Sequence, residues 1–247
     1  MPDLLAMPTW DEAARWYVEM VRDPQRGFND LAAATALELL SDVRSALVLD
    51  LGCGEGHVAR RMAVSGARVV GVDPTAELLD AARRQERDAP LGIEYQPGFA
   101  EDLGAYAADT FDAVVSVLAM HHVLGLDRAL TEIHRVLKPR GRLCIVIPHP
   151  FTIHAGATWS EGVAPRRVMG SYLHEGAWSE AAGAHLTSVR QIGWYHRTLS
   201  TWVTSLAVTG FFTQRVVEPH GALSGRDDSG GPWALVPVLL AFAATAV

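Results

Sequence analysis

Three glycines at alternate positions, Gly52, Gly54 and Gly56, follow directly on the apolar run Val48-Leu49-Asp50-Leu51. Glycine at such a turn lets backbone amides approach a ligand closely and leaves the start of a following helix open. Asp73 stands 21 residues after Gly52 and closes a second apolar run, Val69-Val70-Gly71-Val72. An acid in that place can grip both hydroxyls of a ribose. A dinucleotide uses the same two features, with its pyrophosphate seated on the glycines. Here Asp50 sits just ahead of the glycines, where a carboxylate repels phosphate, and the spacing is G-x-G-x-G rather than G-x-G-x-x-G. An adenosine with a cationic amino-acid tail and no phosphate suits this set better.

Ten histidines supply the other chemistry. Imidazole titrates near pH 6.5 and is the usual group to take a proton from a nucleophile, a role worth about 10²–10⁴-fold in rate. His121 and His122 follow the run Phe111–Val117, and His149 follows Leu143–Ile147. His121 and His149 are the favoured polar pair, while one of His121 and His122 packs against or caps the next helix. Tyr195 and His196, within Trp194-Tyr195-His196-Arg197, either close over a substrate or cap the helix behind them. No H-x3-H pair or acid-rich cluster has the tight spacing of metal ligands, so no metal is expected.

Alternating elements are needed to bring these groups together. Short apolar runs at Ala46–Leu49, Arg68–Val72, Ile93–Tyr95, Phe111–Val117 and Leu143–Ile147 read as strands. Between them Gly56–Val64, Ala76–Asp88 and Leu126–Leu137 have helical spacing, the last stopped by Pro139 and Gly141. Strands separated by helices of this length imply right-handed βαβ units and a parallel sheet. In a doubly wound sheet the carboxyl ends of strands 1, 4 and 5 border one crevice, which is where His121, His122 and His149 would meet. After Pro148 the periodicity breaks, then Thr198–Val208 reads as a helix. Phe211–Val217 and Ala234–Ala241 follow as strands of a final antiparallel hairpin. The expected plan is an N-terminal helical arm (1–40), a cofactor-binding core (41–148), a lid insertion (149–196) and a last helix with the final hairpin (197–247). A loop as long as that insertion is usually a lid or a binding element.

Composition narrows the partners. The chain has 247 residues, 49% of them hydrophobic, and a formal net charge of −7, which gives ample core and argues against disorder. Lys138 is the one lysine among 21 basic residues, and no basic stripe suited to nucleic acid or an anionic membrane is present. Cys53 and Cys144 lie far apart in apolar runs and read as reduced, buried thiols. Met1–Glu12 lack the basic and apolar regions of a signal peptide, and Pro232–Val247 are too short to span a bilayer, so a cytoplasmic chain is expected. The seven tryptophans all lie outside residues 17–158, several of them in the arm and insertion that should cover the pocket. They either wall a flat apolar substrate or fill the lid's own small core.

The turn Asp50-Leu51-Gly52-Cys53-Gly54-Glu55-Gly56 resembles that of the class I S-adenosylmethionine-dependent methyltransferases, and the resemblance covers about residues 30–150. Val70–Asp73 is similar to that family's second motif, Gly98–Leu103 to its adenine-binding segment, Phe111–Ser116 to its fourth strand and Leu137–Arg142 to the turn before the fifth. The resemblance implies a Rossmann-like α/β fold, doubly wound around a seven-stranded, mostly parallel sheet with an antiparallel last strand and a helical or loop lid. It implies S-adenosylmethionine as cofactor, with Asp50 and Gly52 at the methionine end, Asp73 at the ribose and Phe99–Glu101 at the adenine. The full cofactor set is Asp50, Gly52, Cys53, Gly54, Gly56, Asp73, Pro74, Phe99, Ala100, Glu101, Val117 and His122. The catalytic candidates are His121, His149, Tyr195 and His196. Phe99 departs from the family, which often has an acid there. Ring stacking or a neighbouring carboxylate must then serve the adenine, unless Phe99 is a plain core aromatic. The implied activity is methyl transfer to a small, planar aromatic molecule at oxygen, nitrogen or an indole-type carbon, by a monomer or homodimer. A nicotinamide-dependent oxidoreductase and a catalytically idle S-adenosylmethionine-binding protein are the alternatives.

Overall fold

The computed structural model describes residues 10, 13–14, 17–18, 27–153, 157–161, 166–178, 194–220 and 236–247. In chain order the strands are β1 (Leu47–Leu51), β2 (Arg68–Asp73), β3 (Glu94–Pro97), β4 (Phe111–Val117), β5 (Leu137–Pro148), β6 (Thr158–Trp159), β7 (Arg167–Val168), β8 (Gly176–Trp178), β9 (Trp194–His196), β10 (Phe211–Val217) and β11 (Leu239–Ala246). The helices are α1 (Gly27–Leu40), α2 (His57–Val64), α3 (Ala76–Asp88), α4 (Leu126–Val136) and α5 (Leu199–Val208).

Seven strands make the central sheet in the order β10-β11-β5-β4-β1-β2-β3. β3, β2, β1, β4 and β5 run parallel to their neighbours, and β11 runs antiparallel to both β5 and β10. Strand periodicity then builds a three-layer domain. Val48, Ala113, Val115, Cys144, Val146, Leu239 and Ala241 face α1, α2 and α3. Their alternates, among them Leu49, Val114, Leu143, Ile145, Leu240 and Phe242, face α4 and α5. On α4 the buried residues are Leu126, Ala129, Leu130, Ile133 and Val136, the apolar stripe that a helix needs to sit on a sheet.

Two strands depart from the sequence reading by more than two residues at an end. The last strand is Leu239–Ala246, not Ala234–Ala241. The whole segment is apolar, so alternation could not fix its ends. Val238 is instead held outside the strand, its N–H donating to Pro219 O and its carbonyl accepting from His149 N. At β5, α4 runs directly into Leu137, which pairs with Phe111 before the register shifts to Ala113 and Arg142. Lys138–Gly141 thus form an irregular stretch within the strand rather than a turn before it, with Arg140 at φ 63° and Lys138 Nζ 2.6 Å from Asp112 Oδ1.

Of the expected lid, the described residues form two small antiparallel ribbons, β6–β7 and β8–β9. Residues 154–156, 162–165 and 179–193, most of the N-terminal arm, Trp16, Trp233 and the beginning of the expected last strand lie outside the described residues. No helix among the described residues is long and apolar enough to cross a membrane.

Candidate active site

A cavity of about 340 Å³ opens at the carboxyl ends of β1, β2 and β4. Gly52, Gly54 and Gly56 have φ of 74°, 54° and 92°, the left-handed region that favours glycine. Gly52 also makes room: a Cβ there would stand 2.2 Å from Ala119 Cβ, where β4 gives way to the following loop. Four carboxylates line the cavity, those of Asp50, Glu55, Asp73 and Glu101. Asp73 Oδ2 accepts Gly54 N–H at 2.9 Å and its Oδ1 accepts Thr75 N–H at 2.8 Å, so the acid is fixed against the glycine turn. Asp50 is 1% exposed, and its Oδ2 has no hydrogen-bond partner among the described residues. Burial, with the Asp73 and Glu55 charges behind it and the Ala59 N–H only partly offsetting it, pushes the Asp50 carboxyl up to about 8. A buried acid with one unanswered oxygen calls for a cationic donor. Four acids round one cavity suit an ammonium and a sulfonium and oppose a pyrophosphate.

The histidines separate. His122 lines this cavity, its ring edge-on to Trp10 at 5.0 Å. His121, with ring centroid 4.1 Å from that of His122, turns the other way. It faces a much smaller cavity of about 20 Å³ shared with Ile147, Pro148, Tyr195, His196 and Arg197. Burial, then the neighbouring His122 and Arg197, hold His121 well below the ordinary imidazole range, so it is neutral at physiological pH. His196 Nε2 lies 2.7 Å from Tyr172 O and so carries the proton that it donates to that carbonyl. His149 departs from the expected pairing with His121, because it lines neither cavity. Its main-chain N–H is tied to Val238 O at 3.0 Å, which turns the ring toward the end of β10. There Nε2 meets Glu218 Oε1 at 2.8 Å and Nδ1 accepts Phe151 N–H at 3.3 Å. Both ring nitrogens are occupied, so the arrangement is a cap on the turn after β5.

Residues 49–145 match the Methyltransferase domain family. Over 102 residues the chain is 35% identical to a ubiquinone biosynthesis O-methyltransferase of Xanthomonas oryzae, a match covering 41% of this chain and 43% of that one. Over 112 residues it is 38% identical to a demethylmenaquinone methyltransferase of Symbiobacterium thermophilum, covering 42% and 44%. The chain thus spans less than half the length of these relatives. Among solved structures, an S-adenosylmethionine dependent methyltransferase from Mesorhizobium loti superposes with a TM-score of 0.72 at 27% identity, over 87% of this chain and 99% of that one. Residues 49–145 are a methyltransferase domain. It is of the class I type, and S-adenosylmethionine is the cofactor of such a domain.

Most of the cofactor set read from the sequence lines the large cavity of the methyltransferase domain: Asp50, Gly52, Cys53, Gly54, Asp73, Pro74, Phe99, Ala100, Glu101, Val117 and His122. Gly56 does not. It is the residue before α2, and a Cβ there would stand 2.3 Å from the Tyr95 hydroxyl, so its smallness serves packing. Sequence reasoning missed Tyr17, Asn29 and Glu55, which also line the cavity. Glu55 was open to view, an acid inside the glycine turn itself. Tyr17 and Asn29 come from a segment without a motif and are carried there by the fold. Phe99 is 62% exposed at the cavity wall, which excludes the core reading and leaves a ring face for an adenine to stack on. Stacking of a base on an aromatic side chain contributes about 1–3 kcal/mol. Phe99→Ala is therefore expected to weaken S-adenosylhomocysteine binding about 10- to 100-fold in titration calorimetry while leaving the unfolding midpoint unchanged. Equal affinities in the two proteins would end the stacking assignment.

Proposed function

We propose that this chain transfers a methyl group from S-adenosylmethionine to a small, planar aromatic molecule, at oxygen, nitrogen or an electron-rich carbon. One observation carries the reading: a cavity walled by four carboxylates, with an unanswered Asp50 oxygen at its foot, in a methyltransferase domain. The two relatives named above support a ring substrate, since their names place them on quinone compounds and one of them at oxygen. A cationic ligand also fits the walls better than a nicotinamide dinucleotide, whose phosphates would meet Asp50.

When bound, the cofactor supplies an already activated methyl on a sulfonium. The chain's own task is to hold, orient and dehydrate. Asp50 would accept from the amino group of the methionine tail, Asp73 from the ribose hydroxyls, and Phe99 would cover the adenine. His122 lines the larger cavity and His121 the smaller one, and on this reading the side of Tyr195 and His196 is the acceptor end. Neutral His121, whose Nδ1 has no partner among the described residues, is able to take the proton that a hydroxyl acceptor loses. Proximity then does most of the work, because an aligned nucleophile about 3 Å from the methyl needs little further help.

The decisive test is thermal unfolding with S-adenosylhomocysteine, S-adenosylmethionine and NAD in parallel. At about 100 Kd, linkage gives about 2.7 kcal/mol, a midpoint rise of about 5–10 °C for a domain of this size. The rise is expected with the first two ligands alone, followed by a methyl mass gain in a screen of planar aromatic acceptors. A shift with NAD only, or none, would remove the methyltransferase reading.

The histidines are expected to divide in the same assay. His121→Asn should lower turnover by about 10²-fold or more with little change in midpoint, as loss of a general base does. His149→Ala should lower the midpoint by about 2–8 °C, the cost of losing a buried imidazole and its hydrogen bonds, and leave turnover within about twofold. The reverse pattern would return His149 to the chemistry.

A further inference from the structure

Arg197 stands out among the residues round the small cavity because its charge is buried with no carboxylate in ion-pair contact among the described residues, although Glu175, Asp127 and Glu101 act on it from farther away. The residue is 9% exposed, and no carboxylate pairs with it among the described residues. Nη2 donates to two backbone carbonyls, Val123 O at 2.5 Å and Leu124 O at 2.8 Å, which fix the guanidinium in the loop ahead of α4. The rings of Tyr195 and Trp202 lie 5.5 and 5.9 Å from its central carbon. These contacts hold the group still, but carbonyl dipoles and ring faces neutralise little of a full charge in a dry site. Glu175, the carboxylate with the strongest pull on Arg197, spends one oxygen on Thr198 N–H and on the Thr198 and Thr201 hydroxyls.

The side chains that line this cavity leave two polar atoms over. Nη1 of Arg197 and Nδ1 of His121 are both buried and both without a hydrogen-bond partner among the described residues. Each belongs to a side chain that is 9% exposed, and both side chains line the same cavity of about 20 Å³. A space of that size accepts one water-sized group, which is enough for an ionised oxygen and far too little for a ring. The walls beyond are apolar, with Ile147, Pro148 and Ile153. A permanent cation and a neutral imidazole lining one oxygen-sized hole make a receptor for an anion and a poor one for a second cation.

We propose that Arg197 and His121 form an anion-accepting subsite that takes an ionised oxygen of the substrate, either a carboxylate that anchors the ring or a ring hydroxyl held as its phenolate. The inference rests on the methyl-transfer reading, since it treats the small cavity as the acceptor end. In the phenolate case the hydroxyl proton passes to His121 Nδ1 and the negative charge stays on the oxygen against Arg197 Nη1, so that proton and charge balance within the site. In the carboxylate case no proton moves, and the pair positions the substrate.

The test uses protein saturated with S-adenosylhomocysteine and four probes: benzoate against benzamide, and 4-nitrophenol against 4-nitroanisole. Calorimetry is expected to show each acidic probe binding at least tenfold more tightly than its neutral partner. Benzoate alone doing so assigns the carboxylate. If 4-nitrophenol does so and shows phenolate absorbance below its solution pKa, the assignment is the hydroxyl. Arg197→Gln should abolish the preference, Arg197→Lys should keep part of it, and both should bind S-adenosylhomocysteine within about twofold of the parent. Equal binding of charged and neutral probes, no binding of either acid, or a preference that survives Arg197→Gln would overturn the subsite. The parent protein's preference alone decides the matter if the variants fail to fold. Failure of S-adenosylhomocysteine itself to bind would remove the underlying reading and the subsite with it, an outcome separable from loss of the anion preference alone.

Discussion

Asp50→Asn is expected to give a folded protein that no longer takes S-adenosylhomocysteine at concentrations that saturate the parent. Asparagine keeps an acceptor for the Ala59 N–H but places an amide N–H group where the cofactor's ammonium must donate. Loss of a charge-assisted hydrogen bond in a buried site, with the cofactor's charge left unanswered, costs about 3 kcal/mol, or more than 100-fold in affinity. The sign of the pH dependence follows from the same residue. The Asp50 carboxyl keeps its proton up to about 8 in the folded protein, whereas an unfolded aspartate releases it near 3.9. Between these values the folded state binds more protons than the unfolded state, so the stability of the cofactor-free protein falls as pH rises from about 4 to about 8. The variant has nothing to ionise there, and its midpoint should fall less steeply over pH 5–8. Cofactor uptake by the parent in that window should also expel a proton, measurable as a heat that depends on the buffer. A variant that binds within threefold of the parent, or that shows the same pH slope, would sink the assignment.

Gly52→Ala is expected to lower the unfolding midpoint by about 6–12 °C and to damage the cofactor cavity. Two costs combine. An added Cβ meets Ala119 Cβ at 2.2 Å, an overlap of the kind that costs about 1–3 kcal/mol in packed sites. At φ 74° any Cβ also carries the left-handed penalty of about 1–2 kcal/mol. The double variant Gly52→Ala, Ala119→Gly separates them, because it moves one methyl from one side of the contact to the other. The overlap disappears, since the next atom, Ala119 Cα, stands 3.7 Å away. The backbone strain remains. Part of the lost stability, about 1–3 kcal/mol, should therefore return in the double variant when chemical denaturation is compared across the cycle. A double variant no more stable than Gly52→Ala alone would show that the close approach of β1 and β4 does not set the need for glycine.

The larger cavity was legible in the sequence because the residues read for it are near neighbours in the chain. Asp50, the glycines and Asp73 lie on two consecutive strand ends, and β1, β2 and β4 had clean boundaries because each apolar run is bracketed by a polar or glycine-rich stretch. The smaller cavity was less legible. His121, Pro148 and Arg197 come together from three separate parts of the chain, and nothing in local pattern says which way a ring turns at a strand end. His149 shows this: its position after β5 was read correctly, but its direction is set by Val238 and Glu218, from distant parts of the chain. Arg197 was in view within the Trp-Tyr-His-Arg segment, yet its significance depends on burial without a direct ion pair among the described residues, a property of packing that spacing cannot reveal. The last strand was misplaced for a simpler reason, since an apolar segment buried on both faces carries no alternation to mark its start.

The position of β11 bears on how the chain is made. β5 leaves the ribosome with one edge satisfied by β4 and the other bare, and β10 follows with no partner at all. Both edges wait for Leu239–Ala246, about ninety residues after the end of β5. At ordinary synthesis rates of 5–20 residues per second that interval lasts roughly 5–20 s. During it the nascent sheet offers an apolar, unpaired edge of the kind that other chains add to. The parallel half of the sheet, with its glycine turn, can form early, but the sheet closes only when a strand from late in the sequence slides between two that are already there. Shielding of that edge during synthesis, more than the intrinsic stability of the finished domain, would then govern the yield of active protein.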